Sequence, residues 1–261
     1  MTPPFDVRLA GLTARVIAPD DGLLAALAER LPPAAPAKAR RRADVTWTLE
    51  PAPGSSLVGI RRDGRAPGRA RSREEAVERV AFQLALFFAR RAEGLAFFHA
   101  GAVSWRGGAI LLPGRSMSGK STLVAALLSA GARYLSDELA PVDAAGRVHA
   151  WARPLSLRAP GRGADRLAPA ALGASTAKGP VRVAAVVFLR HRPADVLRIE
   201  RLSRGEAALG LLDNALAARS RPETSLCVAR AVTERAALFR GTRGEAGETA
   251  RALLEGVLAP P

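Results

Sequence analysis

The N-terminal part of the chain alternates between apolar strands and one amphipathic helix. Apolar and polar residues in strict turn are typical of half-buried strands, whereas an apolar stripe at helical spacing indicates a helix. Strand patterns cover residues 5–18, 44–51 and 55–60, the helical stripe covers 21–31, and a run of Pro, Ala and Arg at 32–43 has the composition of a loop. These elements predict a small α/β unit at the start of the chain.

A longer helix is predicted to begin at Ser72. Ser72 and Glu75 have the spacing of a capping box, in which each side chain bonds the backbone N–H of the other residue. We expect this helix to run to about Gly94 and to pack beneath the elements that follow. The predicted domain boundary therefore precedes this helix, giving an N-terminal unit of residues 1–71 and a core of residues 72–261. The apolar face of the helix consists of Val77, Val80, Ala81, Leu84, Phe87 and Phe88.

Two apolar runs within residues 95–114 are separated by Gly107 and Gly108, which predicts a β-hairpin with these glycines as the turn residues. Counting outward from that turn pairs His99 with Ser116. His99 would then lie beside the segment that follows the second strand. A lone histidine on an apolar strand is also typical of a hydrogen-bonded core residue, so both interpretations of His99 stand.

A phosphate-binding motif follows the second strand of this hairpin. The order strand, G-x-x-x-x-G-K-S, helix is the context that a phosphate-binding loop requires, because the loop N–H groups and the positive end of the helix surround the phosphates. Lys120 would reach the β and γ groups and Ser121 would bind Mg²⁺. The sequence therefore predicts ATP and Mg²⁺ as cofactors. The predicted nucleotide-binding residues are Gly114, Arg115, Ser116, Met117, Ser118, Gly119, Lys120, Ser121 and Thr122.

An acidic pair, Asp137 and Glu138, comes soon after this loop. Asp137 lies 137 − 120 = 17 residues past Lys120, a gap that one short helix and one strand fill. A strand directly after the loop helix brings its carboxylate to the edge of the γ-phosphate, where an acceptor hydroxyl would sit, so Asp137 is the candidate catalytic base. Glu138 is the candidate metal ligand. On a continuous strand it would face away from Asp137, but both carboxylates would reach the metal if the strand bulges or ends there. Alternatively, both carboxylates end a strand or bind magnesium without touching an acceptor.

The composition bounds the class of protein. The chain has 261 residues and a formal charge of +15, and 39 − 3 = 36 of its basic residues are arginine. Such a strong preference for arginine over lysine, with the arginines scattered along the chain, indicates a bias in base composition. Nucleic acid is therefore not an expected partner. The basic runs at 38–42 and 61–73 are interpreted as loops. Electrostatic steering of an acidic substrate stays open.

Three further features complete this picture. Cys227 is the single cysteine, which excludes an intrachain disulfide and predicts a buried structural thiol. His149 and His191 have no placement near the loop and are interpreted as surface or structural residues. No apolar stretch approaches the ~18 residues of a membrane span, so a cytoplasmic protein without a membrane segment is expected.

Residues around the loop resemble the catalytic domain of the HPr kinase/phosphorylase family, and more closely its shorter relatives. The resemblance covers about residues 95–158: His99-Ala-Gly, the glycine turn, the GKS loop, and "AGARYLSDELAPVDAAGRVHAWARPLSLR" (130–158). It implies an α/β P-loop kinase core of the HPr kinase and phosphoenolpyruvate carboxykinase type, with ATP-dependent phosphorylation of a serine in a protein or peptide. Asp137 matches the family's catalytic base, Glu138 replaces its second acid, and His99 matches a histidine ahead of the loop.

Three departures from the family pattern narrow what the resemblance implies. Met117 stands where the family usually has glycine, so the loop backbone is expected to differ locally. The Glu-Ile-Arg-Gly-type signature linked to phosphorolysis has no counterpart after Arg158. The basic loop that grips the substrate has two candidates, residues 160–166 and 177–182. A kinase without phosphorylase activity, acting on a substrate other than HPr, is therefore expected.

Two alternatives to a protein or peptide serine kinase remain at this point. A small-metabolite P-loop kinase would also place an aspartate on the strand after the loop helix. A non-enzymatic nucleotide-binding regulator would use the loop but would not need Asp137 at this spacing. The family resemblance is compatible with a homo-oligomer, although no apolar surface in the sequence identifies an interface.

Overall fold

A computed structural model describes residues 3–33, 42–51, 54–114, 118–158, 164–193 and 195–256. The chain divides into two compact units, Met1–Glu93 and Gly94–Pro261. In the described part of the chain, none of the helices is both long and apolar enough to cross a membrane.

The first unit is a five-stranded sheet with two helices, in the order β1-β2-β3-β4-β5. Neighbouring strands are antiparallel except β2 and β3, which are parallel because the chain crosses over through α1 between them. The elements are β1 (Phe5–Leu9), β2 (Leu12–Ile17), α1 (Asp21–Ala28), β3 (Val45–Pro51), β4 (Val58–Arg62), β5 (Arg65–Ala70) and α2 (Arg73–Arg91). The strands and helix predicted before Ser72 are confirmed.

The long helix α2 packs against the sheet of this first unit. The Trp47 ring of β3 meets Phe87 edge-on, with 6.0 Å between centroids, and its indole N–H donates to Gln83 Oε1 over 3.0 Å. Arg30, 8% exposed, follows α1 and bonds Glu78 of α2. Ser72 caps the helix by accepting from the Glu75 N–H, as predicted, but the other half of the capping box differs, because the Glu75 carboxylate accepts from the Arg71 N–H.

The boundary between the units differs from the one expected between residues 71 and 72. The first unit extends to Glu93 because α2 supplies the apolar layer over its sheet, which the short α1 does not cover alone. The sequence pattern identified α2 and its apolar face but not the surface that this face covers.

The basic stretch at 61–73 is also not the loop that was predicted. It holds the end of β4 and the whole of β5, joined by a tight turn at Asp63 and Gly64. Both turn residues have positive φ, 49° and 77°, which is the backbone that the Asp-Gly pair favours in a two-residue hairpin. The arginines lie on an ordered hairpin.

The second unit contains the remaining elements of the chain. They are β6 (Leu95–Trp105), β7 (Gly108–Pro113), α3 (Lys120–Ser129), β8 (Arg133–Ser136), β9 (Leu139–Asp143), β10 (Arg147–Val148), β11 (Leu155–Arg158), β12 (Ala164–Leu167), a 3₁₀ turn (Pro169–Leu172), β13 (Val181–His191), β14 (Arg198–Arg201), α4 (Arg204–Asp213), α5 (Pro222–Thr233), β15 (Ala237–Arg243) and α6 (Ala246–Gly256).

The main sheet has the order β10-β9-β6-β7-β13-β15-β14, with β8 paired to β6 beside β9. Its centre is parallel, because β7, β13 and β15 run in one direction, while β6 and β14 flank them antiparallel. The small strand β10 pairs with both β9 and β13, and β11 and β12 form a separate hairpin.

Helices cover both faces of this sheet, which explains why its central strands are continuously apolar. Ile110 and Leu112 of β7 point to the face packed with α3 and α6, whereas Leu111 between them points to the face packed with α4 and α5. All three are at most 3% exposed. The resulting three-layer mixed α/β architecture agrees with the expected fold class at that coarse level.

Two smaller expectations have different outcomes. Cys227 on α5 is an exposed free thiol, so the prediction of a buried one was wrong. It lies on the outer side of the helix, next to the buried Val228. Residues 38–41 of the other predicted basic loop lie outside the described residues.

Gly101 of β6 lets helix α3 approach the sheet. A Cβ on Gly101 would lie 2.7 Å from Val124 Cγ2, and Val124 is fully buried, so this methyl cannot swing away. We expect Gly101→Ala to lower the free energy of unfolding by about 1–3 kcal/mol, measured by urea denaturation. Gly205→Ala on α4, where no atom lies within 4 Å of the added methyl, is the matched control and should not destabilise. A Gly101→Ala protein as stable as wild type would contradict this close approach.

Candidate phosphate-binding site

The hairpin of β6 and β7 delivers the chain to the predicted loop. Its turn residues are Arg106 and Gly107, with φ of 48° and 84°, and Trp105 pairs with Gly108. The turn is therefore one residue earlier than predicted. His99 lies opposite Gly114, whose N–H donates to the His99 carbonyl over 3.2 Å, and not opposite Ser116.

The loop ends where α3 begins. Gly119 is the N-cap of α3 with φ of 76°, a left-handed conformation that glycine adopts without strain, and the helix has no side-chain cap. The first N–H groups of α3 therefore lack the side-chain acceptor that caps α2. Such an end attracts an anion. Arg115, Ser116 and Met117 of the predicted loop lie outside the described residues.

The two glycines at this end of the helix have no space for a side chain. A Cβ on Gly114 would lie 3.1 Å from Ser118 Oγ, and a Cβ on Gly119 would lie 2.5 Å from an Arg243 nitrogen. Ser118 Oγ is buried and has no hydrogen-bond partner among the described residues. A buried hydroxyl of this kind fits a site whose remaining acceptor comes from a bound phosphate.

Lys120, the first residue of α3, folds back over the loop. Its ammonium donates to the Gly114 carbonyl over 2.6 Å. Burial lowers the pKa of Lys120 to about 8, although the nearby Asp137 carboxylate raises it. A bound anion would stabilise the protonated, charged form of a lysine whose pKa is lowered in this way.

Asp137 lies just beyond the end of β8 and is 1% exposed. Its Oδ2 accepts from the Ser121 hydroxyl and from the Ser156 N–H, each over 3.2 Å. Its Oδ1 lies 3.1 Å from the Tyr134 hydroxyl. The structure thus brings Asp137 directly to Ser121, the residue predicted to bind magnesium.

Glu138 does not turn away from Asp137 as an alternating strand would require. The strand β8 ends at Ser136, so neither acid is part of a strand and the alternation no longer applies. Arg153 forms ion pairs with both: its Nε lies 3.6 Å from Asp137 Oδ1, and its Nη2 contacts Glu138 Oε2. The two carboxylates therefore share one cation.

His99 lies among the same charges. Burial lowers the pKa of His99 to about 4, with further lowering by Lys120 and Arg153 and an opposite effect of Asp137. His99 is therefore neutral at pH 7. Its side chain is available for hydrogen bonding without adding a positive charge.

Tyr134, the single tyrosine of the chain, is fully buried beside Asp137. Burial raises the pKa of Tyr134 well above its usual value, and the Asp137 charge adds to the effect. Its hydroxyl also lies 2.8 Å from the Arg153 carbonyl and donates its proton to one of the two acceptors at a time. Tyr134 stays protonated and orients the Asp137 carboxylate.

Arg243, at the end of β15, lies at the other side of the loop. It is 3% exposed, and its guanidinium donates to the carbonyls of Gly119 and Gly244 over 2.9 and 2.8 Å. Burial lowers the pKa of Arg243. A buried cation at the positive end of α3 is unfavourable by itself, and an anion there would offset both charges.

The arrangement is also compatible with magnesium. Ser121 and Asp137 offer hard oxygen ligands at the end of the loop, with Glu138 beside them, and magnesium usually binds one or two carboxylates together with substrate phosphates. The described residues contain no cluster of three or more His, Cys, Asp or Glu side chains that would hold a metal alone. Of these, Ser121 and Glu138 would hold it together with the nucleotide, which leaves Asp137 to act on the acceptor hydroxyl.

Sequence reasoning missed three residues of the site: Tyr134, Arg153 and Arg243. Tyr134 had a signal, since a lone tyrosine three residues before the candidate base could reach it. Arg153 stands in a segment without periodicity, and Arg243 is 124 residues from the glycine that it bonds. The basic stretch 177–182 runs into the first two residues of β13. Its Lys178 lines a cavity beside the β6–β7 turn, at the opposite end of β7 from Gly114.

Comparisons with known proteins add little to this geometry. No family model matches the chain, and no curated protein matches it. Among solved structures, the HPr(Ser) kinase/phosphatase from Coxiella burnetii is similar at 20% sequence identity over 41% of this chain and 77% of that chain. The TM-score is 0.25. This is a distant structural likeness, and at that score it carries no argument about activity.

The His99 environment predicts a pH dependence of stability. Between the ordinary pKa of 6.5 and the folded value of about 4, the unfolded chain binds more protons than the folded one. The His99 contribution to the free energy of unfolding is therefore present above pH 6.5 and lost as the pH falls toward 4, by at most roughly 3 kcal/mol. His99→Gln should flatten this part of the profile, measured by urea denaturation between these pH values.

The exposed His191, at the end of β13, provides the control for this experiment. His191→Gln should retain the wild-type profile. A His99→Gln protein that loses stability on acidification as steeply as wild type would show that His99 is not the group responsible.

Proposed function

We propose that this protein is an ATP- and Mg²⁺-dependent kinase that transfers the γ-phosphoryl group to a serine hydroxyl of a protein or peptide. The observation that carries the proposal is the hydrogen bond between Ser121, at the end of the GKS loop, and the buried Asp137. This hydrogen bond places, next to a phosphate-binding sequence, a carboxylate that can take the proton of an acceptor hydroxyl.

The proposed binding of the nucleotide phosphates rests on positive charges and on hydrogen-bond donors at the start of α3. The half-buried Lys120 bonds Gly114, and the buried Arg243 bonds Gly119, where α3 begins without a side-chain cap. Ser118 contributes a buried hydroxyl without a described partner. Together they favour a multiply charged phosphate over a single carboxylate.

The acceptor side rests on Asp137. In the proposed reaction a bond forms between the acceptor serine oxygen and the γ-phosphorus, the bond to the β–γ bridging oxygen breaks, and ADP leaves. Asp137 takes the hydroxyl proton, while Tyr134 and the Ser156 N–H hold its carboxylate in place. Bound Mg²⁺ would supply charge neutralisation of the phosphates. Because His99 is neutral, it adds no positive charge that would make the nearby Asp137 carboxylate a weaker base.

The class of acceptor and the type of core come from the sequence resemblance over residues 95–158. That resemblance supports a protein or peptide serine and a P-loop core of the HPr kinase and phosphoenolpyruvate carboxykinase type. The absence of the Glu-Ile-Arg-Gly-type signature favours phosphorylation without phosphorolysis. We place the reaction in the cytoplasm.

Radiolabel transfer from ATP identifies the acceptor. We expect the wild-type protein, incubated with Mg²⁺, ATP labelled at the γ-phosphate and lysate of the source organism, to label a protein or peptide on serine. Lys120→Ala should abolish labelling and weaken ATP binding, because the site loses the ammonium that offsets the phosphate charges. Mass spectrometry of the labelled species gives the residue type.

The outcomes of this experiment are distinct. Label on a small molecule would replace the proposed acceptor with a metabolite. Equal labelling by wild type and Lys120→Ala would contradict the use of the loop altogether.

The two acids can be assigned by mutation. Asp137→Asn keeps the size of the side chain but removes the base, so turnover should fall by roughly 10²–10⁴. Nucleotide affinity, measured by titration calorimetry, should stay within a few-fold of wild type. Glu138→Gln should reduce turnover less, because Glu138 is 39% exposed and does not contact Ser121 in the described structure.

The alternative roles give different patterns. Loss of Mg²⁺-dependent ATP affinity in Asp137→Asn would make Asp137 a metal ligand instead of a base. Unchanged phosphotransfer in Asp137→Asn would remove it from the reaction.

A further inference from the structure

One arginine neutralises both acids of the site. Arg153 precedes β11, its side chain is 14% exposed, and it contacts Asp137 and Glu138 simultaneously. Its Nε is buried and makes no hydrogen bond within the described part of the chain. The guanidinium is thus held by ion pairs with the two carboxylates, and its Nε–H has no hydrogen-bond acceptor among the described residues.

The other partners of Asp137 are fixed parts of the structure. The Ser156 N–H belongs to the backbone of β11, and the Tyr134 hydroxyl belongs to a fully buried ring on β8. The Ser121 hydroxyl is itself a suitable oxygen ligand for a divalent cation. Arg153 differs from all three because it carries a positive charge.

A divalent cation at this acidic pair and the Arg153 guanidinium would repel each other. Both would also compete for Glu138, because Arg153 contacts its Oε2, and Arg153 lies 3.6 Å from Asp137 Oδ1 as well. In a largely buried site this repulsion is weakly screened. One cation must therefore leave when the other binds.

We propose that Arg153 occupies the place of the magnesium ion in the ligand-free protein and exchanges with it when the nucleotide binds. This inference rests on the proposed function. In the free protein Arg153 neutralises the acidic pair and opposes binding of Mg²⁺ alone. When Mg²⁺ arrives with a nucleotide, the guanidinium turns from the carboxylates to the phosphate oxygens.

The chemistry of arginine suits this second position. Its planar fork binds two oxygens of a phosphate at once, which a lysine cannot do. The unused Nε is one of the donors that such a contact would satisfy. Binding of the metal thus moves the Arg153 guanidinium to the phosphates. Without nucleotide, Mg²⁺ binds poorly because Arg153 stays on the carboxylates.

A titration without nucleotide tests the exchange directly. Mg²⁺ is added to wild type and to Arg153→Met while tryptophan fluorescence is recorded. Trp151, 3% exposed and two residues from Arg153, is the expected reporter, and a Trp151→Phe background identifies its signal. We expect Arg153→Met to bind Mg²⁺ about tenfold more tightly than wild type or better, since the competing cation is gone.

Two further variants complete the set. Arg153→Lys keeps the charge and should retain the weak Mg²⁺ affinity of wild type, but its phosphoryl transfer should fall by about 10²-fold, because the planar fork is lost. Arg147→Met is the matched control: Arg147 pairs with Asp143 over 2.9 Å in the same unit and is 47% exposed. It should leave Mg²⁺ affinity unchanged.

Removal of Arg153 also leaves a buried carboxylate without its cation, so Arg153→Met is expected to be less stable than wild type. Mg²⁺ should then raise its unfolding temperature, measured by circular dichroism, more than that of wild type. If the variant is unfolded without metal, Mg²⁺ should refold it. Failure of saturating Mg²⁺ to do either would overturn the proposal.

The remaining outcomes separate this inference from the proposed function. Equal Mg²⁺ affinity of folded Arg153→Met and wild type would overturn the exchange even if the protein is a kinase. Tighter Mg²⁺ binding by Arg153→Met, together with no phosphoryl transfer by the wild-type protein to any acceptor, would support the exchange and contradict the kinase. Absence of Mg²⁺ binding by Arg153→Met in this titration would overturn the exchange, and the labelling experiment would still decide whether the protein is a kinase.

Discussion

The buried carboxylate of Asp137 is the interaction on which the candidate site depends. It accepts hydrogen bonds from the Ser121 hydroxyl at the start of α3, the Tyr134 hydroxyl of β8 and the Ser156 N–H of β11. Three segments that are distant along the chain thus meet at one charge. A buried carboxylate tolerates this position only while its donors and a cation surround it, so the charge itself fixes the relative positions of these segments.

The sequence predicted those parts of the fold that depend on local pattern. Strands β1 to β4, helix α1, the capped helix α2 and helix α3 all follow from periodicity and capping residues. The hairpin was predicted but its turn was not, because Arg106-Gly107 and Gly107-Gly108 both suit a two-residue turn. That single shift moved the partner of His99 by two positions, from Ser116 to Gly114.

The parts that the sequence did not predict depend on contacts between distant residues. The alternation rule put Glu138 on the opposite face from Asp137, yet β8 ends at Ser136 and the rule lapses there. Arg153 comes from an irregular segment, so no period marks it. The helix α2 shows an apolar face in the sequence, but only tertiary structure decides which sheet it covers, and here that sheet is in the first unit.

The contact between Arg243 and Gly119 bears on the order in which the protein is made. The arginine lies 124 residues after the glycine, on the last strand of the sheet. Contacts of such long range form late, because the intervening chain must first be brought together. During synthesis the GKS segment leaves the ribosome long before β15 does. Gly119 therefore gains its neighbouring guanidinium only after β15 has been translated, and a product that ends before β15 would lack it.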